Sequence, residues 1–219
     1  MRLTLSILAV FSVMSVGVLG NFYQITQPRV GTSVISPKME KQMGGNELTF
    51  SLPSSLTEKQ HHLLDFAYSI AKKVGLKSPE IAQGIIFQES KAGGMDSYKV
   101  AGQEFGLKTN ERYYGVGQIK LPATKAVLQK FPYLWDKYDF HTRTDEEIIA
   151  NLIMNDLFNV EVATLYLKIL SSDFGYEGDR LTAAYNKGPG GVRSVSDPSS
   201  LNYVVQVHNH IKNKIKNIK

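Results

Sequence analysis

The run Leu181-Thr182-Ala183-Ala184-Tyr185-Asn186-Lys187-Gly188-Pro189-Gly190-Gly191-Val192 constrains the fold more than any other part of the chain. An apolar helical turn runs straight into Gly-Pro-Gly. Glycine takes the left-handed backbone values that end a helix, and proline cannot continue one. The chain is therefore expected to turn directly after Tyr185 and Asn186. Two hydrogen-bonding side chains at such a break can address something other than their own helix.

Helical signals recur upstream and downstream of this break. Ser55 with Glu58, and Thr57 with Gln60, have the spacing of N-terminal caps. Leu63, Phe66, Ala67, Ile70, Ala71 and Val74 follow at three-to-four spacing, the apolar stripe of an amphipathic helix that Gly75 ends. Ser78 and Pro79 predict a second helix, with serine as cap and proline at the first helical position. It carries Ala82, Ile85, Ile86 and Glu89 at i, i+3, i+4 and i+7, so Glu89 belongs to the core-facing stripe. Thr144 and Glu147 cap a third apolar pattern that extends from Ile148 to Leu170, with a break expected near Asn159. Val204, Val207, Ile211, Ile215 and Ile218 mark a final basic amphipathic helix. No alternating strand pattern and no repeat interrupts this series, so the expected class is mainly α, with one helical domain over residues 55–219.

The first residues differ from the rest. Met1-Arg2 is followed by an almost unbroken apolar stretch from Leu3 to Val18, shorter than the roughly 20 residues of a spanning helix, and Gly20 offers a small residue for cleavage. Residues 1–20 read as a signal peptide for export, with a retained membrane anchor as the alternative. Residues 21–54, interrupted by Pro28, Gly31, Pro37, Gly44, Gly45 and Pro53, read as a linker or loosely packed arm. With no cysteine in the chain, a disulfide framework and thiolate zinc sites are excluded. The formal charge of +5 is concentrated at the C-terminal end, in Lys212, Lys214, Lys216 and Lys219. Such a face can attract an anionic wall polymer or membrane lipid, or serve solubility alone.

Four segments, in order, resemble the lytic transglycosylases, the soluble-lytic-transglycosylase domain within the lysozyme superfamily. They are Phe87-Gln88-Glu89-Ser90, the turn Tyr114-Gly115-Val116-Gly117-Gln118-Ile119-Lys120-Leu121-Pro122-Ala123-Thr124, the weaker Asp156-Leu157-Phe158-Asn159 with Tyr166-Leu167, and the opening Ala-Ala-Tyr-Asn run. The resemblance implies a lysozyme-like helical domain with a substrate cleft. It implies Glu89 as catalytic acid and base, and Ser90 as its structural companion. Gln118 and Asn186 would hydrogen-bond substrate, and Tyr185 would support the catalytic glutamate. Tyr203, in Asn202-Tyr203-Val204, is similar to the family's late Tyr-Val pair without the preceding Glu-Thr. The chain departs from the family over Lys91 to Tyr113, which is longer than usual, so that Ser97 and Thr109 are only candidates for the serine that lines the cleft. The usual methionine is replaced by Gly117, which is expected to widen the cleft floor.

The chemistry follows from the glutamate. A carboxylic acid donates a proton to a departing sugar oxygen near neutral pH only if an apolar environment raises its pKa. Read from the helix pattern alone, Glu89 is more simply a helix-end carboxylate paired with a cation such as Lys91. The resemblance implies substrate-assisted cleavage of the bond between N-acetylmuramic acid and N-acetylglucosamine, with the product closing to a 1,6-anhydro sugar. A goose-type-like hydrolytic lysozyme, with Asp96 or Glu104 as second carboxylate, is the rival enzyme. A non-catalytic wall-binding component of a secretion or phage machine is the rival of another class. The implied partner is the peptidoglycan glycan strand, not nucleic acid, and the implied location is the periplasm or cell envelope. No cofactor is expected, and His61, His62, His141, His208 and His210 show no metal-site spacing.

Overall fold

Thr57 opens the first helix as its residues predict. Its hydroxyl accepts the Gln60 backbone N–H while the Gln60 side chain accepts the Thr57 N–H, a reciprocal cap that satisfies two otherwise unpaired donors. This computed structural model describes residues 56–95, 99–103 and 106–215. All of them fall in one of the two units into which the chain divides, Phe50–Lys219. The expected signal or anchor over 1–20, the arm over 21–54, and Ser55, Asp96, Ser97, Glu104, Lys216, Ile218 and Lys219 lie outside the described residues.

Helix α1 (Glu58–Lys73) buries Leu63, Leu64, Ala67, Ile70 and Ala71. Helix α2 (Glu80–Ser90) is entered at Pro79, which has helical angles as expected, but no side-chain hydrogen bond caps its start. Three strands of two residues each follow: β1 (Val100–Ala101), β2 (Tyr113–Tyr114) and β3 (Ile119–Lys120), antiparallel in that order. Tyr113 pairs with Ala101 and with Lys120, and Tyr114 with Val100 and with Ile119. This small sheet was not expected, because strands of two residues are too short to show alternation.

Helices α3 (Leu121–Lys130) and α4 (Tyr133–Lys137) come next. Helix α5 (Asp145–Met154) starts at Thr144, whose hydroxyl accepts the Glu147 N–H. Helix α6 (Asp156–Phe174) follows after a bend of 108°. The break falls at Asn155 rather than near Asn159: Asn155 ends α5 and its side-chain oxygen accepts the Phe158 N–H to start α6. Every residue from Phe158 to Leu165 is buried, the polar Asn159, Glu161 and Thr164 included, so α6 is enclosed on all sides and is the helix about which the others pack.

On one side of α6, an apolar cluster joins α1 and α2 to helix α7 (Gly178–Gly191) and helix α8 (Asn202–His210). On the other, a second cluster joins β2 and β3 to α3, α4 and α5. The basic C-terminal segment is thus part of the core: Val204, Val207, Ile211 and Ile215 are buried, the last two in a widened π-type turn that prolongs α8. Gly84 of α2 permits this contact, since a Cβ there would lie 2.7 Å from Ile211 and 2.9 Å from Val207.

Candidate active site

Glu89 stands in the last turn of α2, and that end of the helix is tied down from three directions. Lys91, Ala92 and Gly93 all take positive φ (54°, 52° and 78°), which reverses the chain abruptly. The Ser90 hydroxyl, fully buried, accepts the Gly93 N–H at 2.9 Å. Gln60, already the capping residue of α1, donates its amide N–H to the Lys91 carbonyl at 2.7 Å. Ser90 therefore holds the helix end and takes no place among the cleft-lining residues.

The second wall is the hairpin Gly115-Val116-Gly117-Gln118 between β2 and β3. Asn159, fully buried on α6, fastens it. Its Nδ2 donates to the carbonyls of Tyr114 at 2.8 Å and Leu152 at 3.1 Å, and its Oδ1 accepts the Gly117 N–H at 2.6 Å. Both glycines are required by close approach. A Cβ on Gly115, whose φ is +66°, would fall 2.2 Å from the Asn159 amide, and one on Gly117 would fall 2.6 Å from the Ala163 Cβ. The expectation that Gly117 widens the cleft floor is therefore corrected. Ala163, Asn159 and Ile86 already fill the space that a larger residue would occupy. Gln118 also has a positive φ of 47°, and its side-chain N–H donates back to the Gly115 carbonyl at 2.8 Å.

The third wall is α7. Its helix does not stop directly after Asn186. It runs through Lys187, breaks at Gly188 (φ 74°, ψ 163°), and makes a further helical turn over Pro189 to Gly191. Proline is tolerated because it sits in the first turn after the break, where no N–H is needed. Tyr185 and Asn186 occupy the last turn before the break. The Tyr185 hydroxyl donates to the Gly117 carbonyl at 2.6 Å, not to Glu89. The hydroxyl that reaches Glu89 is that of Tyr203 at the start of α8, donating to Oε1 at 2.5 Å. Support of the glutamate, expected from Tyr185, thus comes from Tyr203, while Tyr185 secures the hairpin opposite.

These walls flank two adjoining open recesses. One, of about 170 Å³, is lined by Glu89, Tyr113, Gln118, Tyr185 and Asn186. The other, of about 140 Å³, shares the last four and adds Ile119, Lys120, Ala123, Tyr166, Lys187 and Gly188. Four of the five site residues expected from sequence line this cleft, and the fifth, Tyr203, is bonded to Glu89. Thr109 lines neither cavity; it lies exposed, with its carbonyl accepting the Tyr114 hydroxyl at 2.8 Å. Tyr113, Ile119, Lys120, Ala123, Tyr166, Lys187 and Gly188 were not singled out from sequence as cleft residues. The signal for Tyr113 and Lys120 was their position just beyond Tyr114 and Ile119, which flank the hairpin.

Burial raises the Glu89 carboxyl from its ordinary 4.5 to about 7, against the opposing effects of the Tyr203 hydrogen bond and the nearby Lys91 charge. Near neutral pH a large share of the molecules therefore carry Glu89 protonated. Burial likewise lowers Lys91, which the carboxylate partly offsets. His210, 2.8 Å from the Gln88 side-chain oxygen, is pushed down to about 4 by burial and by the charges of Lys91 and Lys214, so it is neutral when Glu89 titrates. His208 lies 2.6 Å from Asp179 on a different face. Among the described residues no group of three or more His, Asp or Glu could hold a metal ion, and no single helix is long and apolar enough to cross a membrane.

The arrangement can hold an extended polar ligand along aromatic and amide side chains while presenting one carboxyl that is protonated near neutrality. Set against protein-family models, curated proteins and solved structures, the chain matches none.

Proposed function

We propose that this chain is a peptidoglycan lytic transglycosylase of lysozyme-like fold, exported to the cell envelope, with Glu89 as its acid and base. The observation that carries the proposal is the single carboxyl lining the cleft among the described residues, raised to about 7 and held by the Tyr203 hydroxyl. Such a group can do both halves of a non-hydrolytic cleavage. Protonated Glu89 gives its proton to the oxygen linking N-acetylmuramic acid to N-acetylglucosamine as the bond from the muramoyl C1 breaks. The substrate's acetamido group supports the developing positive charge. The resulting carboxylate then takes the proton from the muramoyl 6-hydroxyl as that oxygen bonds to C1, which closes the 1,6-anhydro ring and restores the acid.

Tyr203 orients the carboxyl by occupying Oε1, and it moderates the pKa by favouring the charged form. Tyr185 and Asn159 hold the hairpin that carries Gln118 against the glycan. Asn186, exposed at the rim, is placed to bond a sugar substituent.

Mass spectrometry of muropeptides released by the protein in heavy-oxygen water tests this reading. The expected ends are 1,6-anhydromuramic, lighter by one water and free of label. Labelled reducing ends would replace it with a hydrolytic lysozyme, and release of no fragments would leave a glycan-binding protein without turnover.

A further inference from the structure

The cleft changes character along its length. Near Glu89 it is lined by neutral amide and phenol groups, whereas the part away from Glu89 adds two cations, Lys120 and Lys187. Among the described residues no acidic side chain lines that part. Among the described residues neither lysine takes part in an ion pair, although eight such pairs occur elsewhere among those residues. Lys120 is half-buried at the start of α3, with its ammonium 4.6 Å from the centre of the Tyr113 ring. A cation stacked on an aromatic face keeps its charge directed and partly dehydrated. Lys187 comes from the opposite wall, one residue before the break in α7.

Two cations on facing walls of one recess, with no ion-pair partner among the described residues, focus a positive potential into it, and a carboxylate entering there gains charge-assisted hydrogen bonds. A neutral glycan offers these groups only uncharged oxygen acceptors, whereas a carboxylate roughly doubles the strength of each hydrogen bond. Resting on the function proposed above, we infer that Lys120 and Lys187 form a carboxylate-binding subsite, which takes the acidic substituent of a muramoyl residue beside the cleaved bond. That substituent is either the stem peptide, through its carboxylates, or the free lactyl carboxylate of a muramoyl unit that has lost its peptide. The same two residues would set the preference of the enzyme between peptide-bearing and stripped strands.

The test measures calorimetric dissociation constants on the full chain carrying Glu89→Gln, so that the glycan stays intact. It compares this protein with one that also carries Lys120→Gln and Lys187→Gln. The probes are a peptide-bearing tetrasaccharide, the same tetrasaccharide stripped to its free lactyl acid, and each with its carboxylates capped as amides. Loss of the two lysines should weaken binding of at least one uncapped probe by about tenfold, the effect of about 1.4 kcal/mol, and leave the capped probes unchanged. The probe that responds identifies the source of the carboxylate. Lys120→Arg with Lys187→Arg keeps both charges and should restore most of the affinity. Equal constants on all probes, an equal loss on capped and uncapped probes, or no binding by either protein would overturn the inference. Failure of the function proposal is separate: the wild-type chain would then release no anhydro ends from these probes, whatever the lysines do to binding.

Discussion

Replacing Glu89 by Gln should stabilise the protein at alkaline pH and leave its stability at acid pH nearly unchanged. The carboxyl has a folded pKa of about 7 against an ordinary 4.5. Below the lower value both folded and unfolded chains are protonated. Between the two the folded chain keeps a proton that the unfolded chain releases, so stability falls as pH rises. Above about 7 both are ionised, and the folded state carries the full cost of a desolvated charge. The advantage of the neutral amide therefore grows from near zero below 4.5 to a plateau above 7. At about 1.4 kcal/mol for each pH unit between the two values, that plateau is about 3 kcal/mol. Glutamine keeps the shape and an oxygen for the Tyr203 hydroxyl, so little else changes. Urea unfolding of both proteins at a series of pH values reads the difference, and for an m-value of roughly 2 kcal/mol/M the midpoints should separate by about 1.5 M at about pH 8. A separation that is constant with pH, or that shrinks as pH rises, would refute the reasoning.

Tyr203→Phe removes the O–H that favours the charged carboxylate, so the Glu89 pKa should rise by about one unit in a carboxyl-carbon NMR titration, and the alkaline limb of the cleavage proposed for this site should move up with it. Tyr185→Phe, which loses only the bond to the Gly117 carbonyl, should leave that titration in place and cost about 1 kcal/mol of stability; equal shifts in the two variants would contradict the assignment of roles. Gly117→Ala should destabilise by about 1–3 kcal/mol through its clash with Ala163, and Ala163→Gly in the same chain should recover part of the loss. An unchanged thermal midpoint for the single variant would show that the hairpin has room to move.

Periodicity and caps carried much of this architecture in plain view. Thr57 with Gln60 and Thr144 with Glu147 are local devices, satisfied within one turn of their own helix, and they stand where their spacing puts them. The stripe that ends in Glu89 likewise needs only the helical repeat to place that carboxyl toward the core. What one segment does to another was not visible in this way. The residue that bonds Glu89 lies on a different helix, and which of Tyr185 and Tyr203 reaches it depends on the packing of α8 against α2 across Gly84. Gly117 looked like open space because a missing side chain says nothing about its neighbours; Ala163, Asn159 and Ile86 come from two other helices to fill it. The break between α5 and α6 could have fallen at either asparagine by composition. Asn155 took the cap and freed Asn159 to fasten the hairpin, because a buried amide is stable only where every one of its polar atoms finds a partner. Sequence alone determined α1, α2, the α5–α6 pattern and α8, though not α3 or α4, and nominated the carboxyl. Only the tertiary structure decided how strongly that carboxyl is desolvated and which hydroxyl holds it, because both are properties of surfaces that meet only when the chain is folded.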